Sequence, residues 1–228
     1  MLLERTALEA DFSGVAALIG EPARAAMLTA LMDGLSLPAG ELAQLAGISP
    51  QTASAHLQKL LESHLLMVES HGRHRYYRLS GPAVAAVLEA LMVLAPAPKV
   101  RVTRDDALAA ARTCYDHLAG KLGVQLAQGL VDGGWLELNG RVYGLTTLGY
   151  AKLGAFGLDV AQIVLKPRFA PTCLDWTERR HHIGGALGRA LTARFLELGW
   201  LVRISQSRAL RTTELGRRGF EREFGLRL

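Results

Sequence analysis

Two consecutive stretches, ELAQLAGISPQTASAHLQKL (residues 41–60) and LLMVESHGRHRYYRL (residues 65–79), decide the fold of the N-terminal third. Gly47 stops one short helix, and Ser49-Pro50 opens the next with an N-cap serine and a proline at the first helical position. In QTASAHLQKLLESH, Ala53, Leu57, Leu60 and Leu61 recur at helical spacing and predict a buried stripe. The opposite face shows Gln51, Thr52, Ala55 and Lys59, flanked by His56. These small or hydrogen-bonding side chains leave room for close approach to a groove. Leu66 to Glu69 alternates as a strand, the chain turns at Gly72, and Arg75 to Leu79 returns beside it. Upstream, PARAAMLTALMDG (residues 22–34) aligns Met27, Leu28, Leu31, Met32 and Leu35 on one stripe that ends at Gly34.

A helix, a short helix, a turn, a capped helix and a basic hairpin predict a winged helix-turn-helix. The capped helix is expected in the DNA major groove, with the hairpin residues Arg73, His74 and Arg75 at phosphates or the minor groove. The plain alternative for the hairpin is a solvated basic tip. Over about residues 12–94 the chain resembles the ArsR/SmtB family of winged-helix repressors, on EPARAAMLTALMDG, ELAQLAGISPQTASAHLQKLLESHLL and GRHRYYRL. The resemblance implies a homodimer, paired through its first and last domain helices, that binds inverted-repeat operator DNA and releases it when an effector binds. Carried over by position, Ser49, Gln51, Thr52, Ser54, His56 and Lys59 would face double-stranded DNA, with Arg73, His74 and Arg75 on the wing. The helical wheel supports Ser54 less than the others. Metal-sensing members hold paired cysteines before the turn, where this chain has Glu41-Leu42-Ala43-Gln44-Leu45-Ala46, and Pro82 to Leu94 offers only Glu89 in place of a ligand set. Neither usual metal site is present.

The chain has 228 residues, half of them hydrophobic, which suffices for real cores and argues against disorder. Its 26 basic and 21 acidic residues leave a net charge of +5, compatible with a polyanionic partner without requiring one. Two cysteines cannot frame a disulfide scaffold, the N-terminal MLLERTALEADF lacks a signal-peptide pattern, and Ala83 to Ala95 is short and contains Glu89. The expectation is a cytoplasmic protein with no membrane partner. The predicted class is α+β and mainly helical. A winged helix-turn-helix domain over residues 1–95 is followed by a proline linker at 96–100 and a domain at 101–228.

That last domain contains a repeat. His117, Gly120, Leu122, Gly123, Leu126, Gly134, Trp135 and Leu136 recur 65 positions later as His182, Gly185, Leu187, Gly188, Leu191, Gly199, Trp200 and Leu201. These are 8 identities in 20 ungapped positions, where about one or two are expected by chance. Further pairs are Thr146-Thr147 with Thr212-Thr213, Gly149 with Gly216, and Phe156 to Leu158 with Phe224 to Leu226. Two duplicated, winged-helix-like halves, about 101–160 and 168–228, are expected, each a helix, a β-hairpin and a closing helix.

Both cysteines precede the long helix of a repeat, in Arg112-Thr113-Cys114-Tyr115-Asp116-His117 and in Cys173-Leu174-Asp175-Trp176. Effector-binding candidates are Cys114, His117, Arg168, Cys173, Asp175, Trp176, Arg179 and His182. Arginines near helix N-termini suit an anionic or small organic effector. Cys114 and His117 read as neighbours on one helical face, and with Cys173 and His181 or His182 they offer a thiol-redox or tetrahedral metal alternative. A packing role for the cysteines, and a shared packing or capping role for the two histidines, is the plainer reading. Asp175 and Glu178 read as a helix cap and its partner. The C-terminal arginines Arg203, Arg208, Arg211, Arg217, Arg218, Arg222 and Arg227 read as a solvated face.

No Gly-x-Gly-x-x-Gly follows a strand, and no Gly-x-Ser-x-Gly, His-Glu-x-x-His or phosphate loop occurs. The chain is therefore read as a regulator, not an enzyme, with no cofactor expected. The competing classes are an enzyme that uses its winged helix only to dimerise and a winged-helix scaffold that binds protein.

Overall fold

A computed structural model describes residues 12–34, 36–71, 74–96, 103–205 and 207–228. The chain divides into two compact units, Met1–Ala85 and Ala86–Leu228, so the division falls inside a helix, ahead of the proline stretch.

The first unit begins with α1 (Ser13–Gly20) and α2 (Pro22–Ala30). Glu21 caps α2, its carboxylate accepting from the N–H groups of Ala23 at 3.1 Å and Arg24 at 2.9 Å. Buried Arg24 donates to the carbonyls of Leu18 at 2.6 Å and Ala17 at 3.0 Å, closing the last turn of α1. After a 3-10 turn at Leu31–Asp33, Gly34 turns the chain with φ 78° into β1 (Leu37–Pro38) and α3 (Ala39–Ala46). Gly47 ends α3 at φ 66°, and the Ser49 hydroxyl accepts from the N–H of Thr52 to start α4 (Pro50–Glu62). Strands β2 (Leu66–His71) and β3 (His74–Leu79) pair antiparallel from Leu66↔Leu79 to His71↔His74, and β1 adds to β3, giving the order β1-β3-β2. Met27, Leu28, Leu31, Met32, Leu42, Ala53, Leu57 and Leu60 form the core beneath this winged helix-turn-helix. α5 (Pro82–Leu94) carries the chain across the division.

The second unit continues with α6 (Thr103–Ala110), β4 (Arg112–Cys114) and β5 (His117–Ala119), then α7 (Gly120–Asp132), β6 (Leu136–Asn139), β7 (Val142–Leu145) and α8 (Thr147–Ala155). After α9 (Val160–Val164) the order repeats: β8 (Thr172–Leu174), β9 (His181–Ile183), α10 (Gly185–Glu197), β10 (Leu201–Arg203), β11 (Leu210–Thr212) and α11 (Glu214–Phe224). The duplication extends to hydrogen bonds. Thr146 donates to the Gly134 carbonyl at 2.7 Å and accepts from the Gly149 N–H at 2.9 Å; Thr213 repeats this with Gly199 and Gly216 at the same distances. A Cβ on Gly149 or Gly216 would lie 1.9 or 2.2 Å from the carbonyl oxygen of Trp135 or Trp200, so only glycine fits.

The halves interlock. α7 packs on β9 and α10 on β5, and each small hairpin reaches the other half's backbone. The Thr113 N–H donates to the Arg208 carbonyl and the Thr172 N–H to the Arg141 carbonyl, both at 2.9 Å. Phe195, Trp200 and Phe220 anchor the shared core with ring centroids 4.8–5.8 Å apart. Among the described residues, no helix is long and apolar enough to cross a membrane.

Candidate functional sites

On α4 the wheel pattern holds: Ala53, Leu57 and Leu60 are buried, while Gln51, Thr52, Ser54, Ala55, Gln58 and Lys59 are exposed. Ser49 is committed to capping, its oxygen 2.9 Å from the Thr52 hydroxyl, and the Ser54 hydroxyl folds back to donate to the Pro50 carbonyl at 2.9 Å. His56 departs from its expected outward position. Its side chain is only 16% exposed, with Nδ1 3.1 Å from the Arg24 guanidinium and 3.7 Å from the Glu21 carboxylate. On β3, exposed Arg75 lies over the Tyr77 ring at 5.6 Å, and Arg78 pairs with Glu69 at 2.9 Å. Arg73 and the His74 side chain lie outside the described residues.

The second site is a cluster in the C-terminal unit, buried at Cys114, His117 and His182 and half-buried at Cys173. Cys114 and His117 are cross-strand partners on β4 and β5, and Cys173 and His182 are cross-strand partners on β8 and β9. The expectation of one helical face for Cys114 and His117 is corrected: Tyr115, at φ 59°, turns a two-residue hairpin between them. One Sγ lies 3.7 Å from the other, the two Nε2 atoms are 3.1 Å apart, and all four donor atoms fall within 4.8 Å of one another. The Cys173 thiol is held far below its ordinary range by the hydrogen bond from Cys114 and by the two imidazoles, against the opposing effect of burial. That bond and burial push the Cys114 thiol up. For His117, burial favours the neutral ring, but Asp116 and Cys173 raise its pKa to about 9.

Carboxylates stand behind both rings, Asp116 3.2 Å from Nδ1 of His117 and Asp175 3.4 Å from Nδ1 of His182. Asp175 receives Arg112 at 2.9 Å and the Gly120 N–H at 2.7 Å. Despite its burial, which works to raise it, these partners and His182 and Thr177 hold its carboxyl well below the usual range. Asp175 also accepts from the Thr177 and Glu178 N–H groups, so it caps the turn between β8 and β9, correcting the expected helix cap. Trp176 lies with its ring 4.6 Å from the Arg112 guanidinium carbon.

Arg168 and Arg179 are not brought to the cluster. Exposed Arg168 contributes its carbonyl to the Ala186 N–H. Arg179 donates to the carbonyl of Val93 on α5 and, with Arg180, His181 and Tyr143, lines a separate groove of about 380 Å³. Arg112, Asp116 and Thr177 are site residues that the sequence reading did not select. Arg112 and Asp116 flank Cys114 within three residues, and reading that stretch as a hairpin would have pointed to Asp116. The C-terminal arginines are mostly exposed and ion-paired, as with Arg217 to Glu214, but Arg208 is buried and reaches Glu89 of α5 at 3.1 Å.

Residues 19–69 match a family described as a helix-turn-helix domain. The chain is 46% identical over 223 residues to the uncharacterized HTH-type transcriptional regulator YdfF of Bacillus subtilis (strain 168), covering 96% of this chain and 99% of that protein. Similar solved structures include NolR from Sinorhizobium fredii, 28% identical over 36% of this chain and 81% of that one, with a TM-score of 0.34. The transcriptional repressor BigR from Xylella fastidiosa is 25% identical over 42% of this chain and 95% of its own, with a TM-score of 0.36.

Proposed function

Because the chain belongs to the ArsR-like family of HTH-type transcriptional regulators, we propose that it is a dimeric repressor whose operator binding is set by the state of its C-terminal unit. The observation that carries the DNA-binding half of this reading is the solvent face of α4. Gln51, Thr52 and Lys59 stand there beside small Ala55, on a helix whose start is fixed by the Ser49 cap. Gln51 and Thr52 suit base edges, while Lys59, Arg75, Arg73 and His74 suit phosphates. His56 ties α4 to the start of α2 through Arg24 and Glu21. Self-association is supported by the apolar side of α5, where Val87, Leu91 and Leu94 are 48%, 45% and 81% exposed.

Control from the C-terminal unit is supported by two ties to α5. Arg208 bridges Glu89 to the Thr113 carbonyl next to Cys114, and Arg179 reaches the Val93 carbonyl from the turn between β8 and β9. A change at the Cys/His cluster therefore has a short route to that helix. The test is selection of a binding duplex from a random pool by the full-length protein, followed by titration over a range of salt. Tight, strongly salt-dependent binding to one palindromic site is expected. Failure to enrich any sequence would contradict operator reading and favour a protein-binding scaffold.

A further inference from the structure

We propose that Cys114, His117, Cys173 and His182 form a tetrahedral zinc site shared between the two halves of the C-terminal unit. The proposal deepens the sensor reading above and rests on it only for consequences at DNA. Zn–S bonds of about 2.3 Å and Zn–N bonds of about 2.05 Å imply tetrahedral edges of about 3.8 Å between sulfurs and about 3.3 Å between nitrogens. The corresponding distances here are 3.7 Å and 3.1 Å. Each half supplies one thiol and one imidazole from a cross-strand pair, so the pseudo-twofold of the duplication passes through the centre.

The histidines supply an independent argument. Asp116, hydrogen-bonded at 3.2 Å to Nδ1 of His117, favours the Nδ1–H tautomer of that ring, as carboxylates do behind metal-bound histidines, and Asp175 stands 3.4 Å from Nδ1 of His182. The two Nε2 atoms stand 3.1 Å apart, close enough for both, as neutral imidazoles, to turn a lone pair onto one cation between them. Two thiolates and two neutral imidazoles balance the charge of Zn2+, so the buried centre is neutral overall. Close approach is built into both helices. A Cβ on Gly188 would sit 3.0 Å from Cβ of His117, and one on Gly123 would sit 3.6 Å from Cβ of His182.

Full-length protein purified under reducing conditions without chelator is expected to carry one zinc per chain by elemental analysis. Exchange for Co2+ should give thiolate-to-cobalt charge-transfer bands and the intense visible bands of tetrahedral coordination. Cys173→Ser should lower zinc affinity at least about 100-fold, beyond the range known for outer-shell changes. Because that variant could unfold, His182→Cys serves as the second test: it should keep the metal and strengthen the charge-transfer bands, whereas His182→Ala loses them. His181→Ala, at an exposed neighbour outside the cluster, should change neither. Folded, reduced protein that takes up neither zinc nor cobalt overturns the proposal, as does a cobalt spectrum without thiolate bands. Zinc binding without operator binding would leave this site standing and contradict the regulator reading; operator binding without zinc uptake would do the reverse.

Discussion

Arg112 and Asp175 have no exposed side-chain surface, and their 2.9 Å pair is completed by Thr177, the Gly120 N–H and the Trp176 ring. Removing one member leaves the other charge buried and uncompensated. Arg112→Gln should therefore destabilise the C-terminal unit by about 3–5 kcal/mol in urea unfolding; a loss below about 1 kcal/mol, the scale of an exposed pair, would show that water reaches Asp175. Behind the first ring, Asp116→Asn should weaken zinc binding about 10–100-fold while leaving the fold intact, read by competition with a chromophoric chelator. In the N-terminal unit, the hydrogen bonds from Arg24 and Ala23 lower the pKa of Glu21. A carboxylate depressed in the folded state contributes stability above its unfolded pKa, and that contribution is lost as pH falls through the lowered value. The amide signals of Ala23 and Arg24 should accordingly titrate with a midpoint below the ordinary glutamate value. Such residues were hard to find from the sequence. Arg112 is one arginine among many until a strand pairing buries it, and Asp175 looked like a helix cap because Glu178 follows at capping-box spacing.

The elements were easier to read where the local chemistry is strong. Gly47 ends α3 and Ser49-Pro50 opens α4 in the sequence as they do in the structure, and the Trp135 and Trp200 turns mark the ends of α7 and α10. Strands β4, β5, β8 and β9 were missed because each has three residues, too few for an alternation, and because Tyr115 in the first turn and Arg179 in the second occupy the positive-φ positions where glycine or asparagine gives the usual signal. On α4 the exposed residues divide by chemistry. Gln51→Ala should cost about 1–3 kcal/mol on the selected duplex and relax its preference at one base pair. Lys59→Ala should weaken all duplexes alike and reduce the salt slope by about one. The same preference retained after Gln51→Ala would remove that residue from base reading.

At the scale of the whole molecule, the duplication was legible from eight identities, yet its consequence was not. Sequence identity shows that two halves are alike; it does not show that each half's hairpin packs against the other's long helix, which is what turns two Cys/His pairs into one cluster. The six residues from Asp175 to Arg180 lengthen the second hairpin relative to the first and supply the Asp175 carboxylate that lies beside His182. Through Arg208 and Glu89 the cluster adjoins α5, where the division between the two units falls. If the site controls DNA binding, linkage requires the effect to be reciprocal. The measurement that tests this most directly is the affinity of the full-length protein for its selected duplex, by fluorescence anisotropy, in zinc-loaded and zinc-stripped reduced forms. Affinities that differ by about fivefold or more, with the same factor recovered in zinc affinity with and without duplex, are predicted. Equal affinities in the two forms would contradict control of the operator by this site.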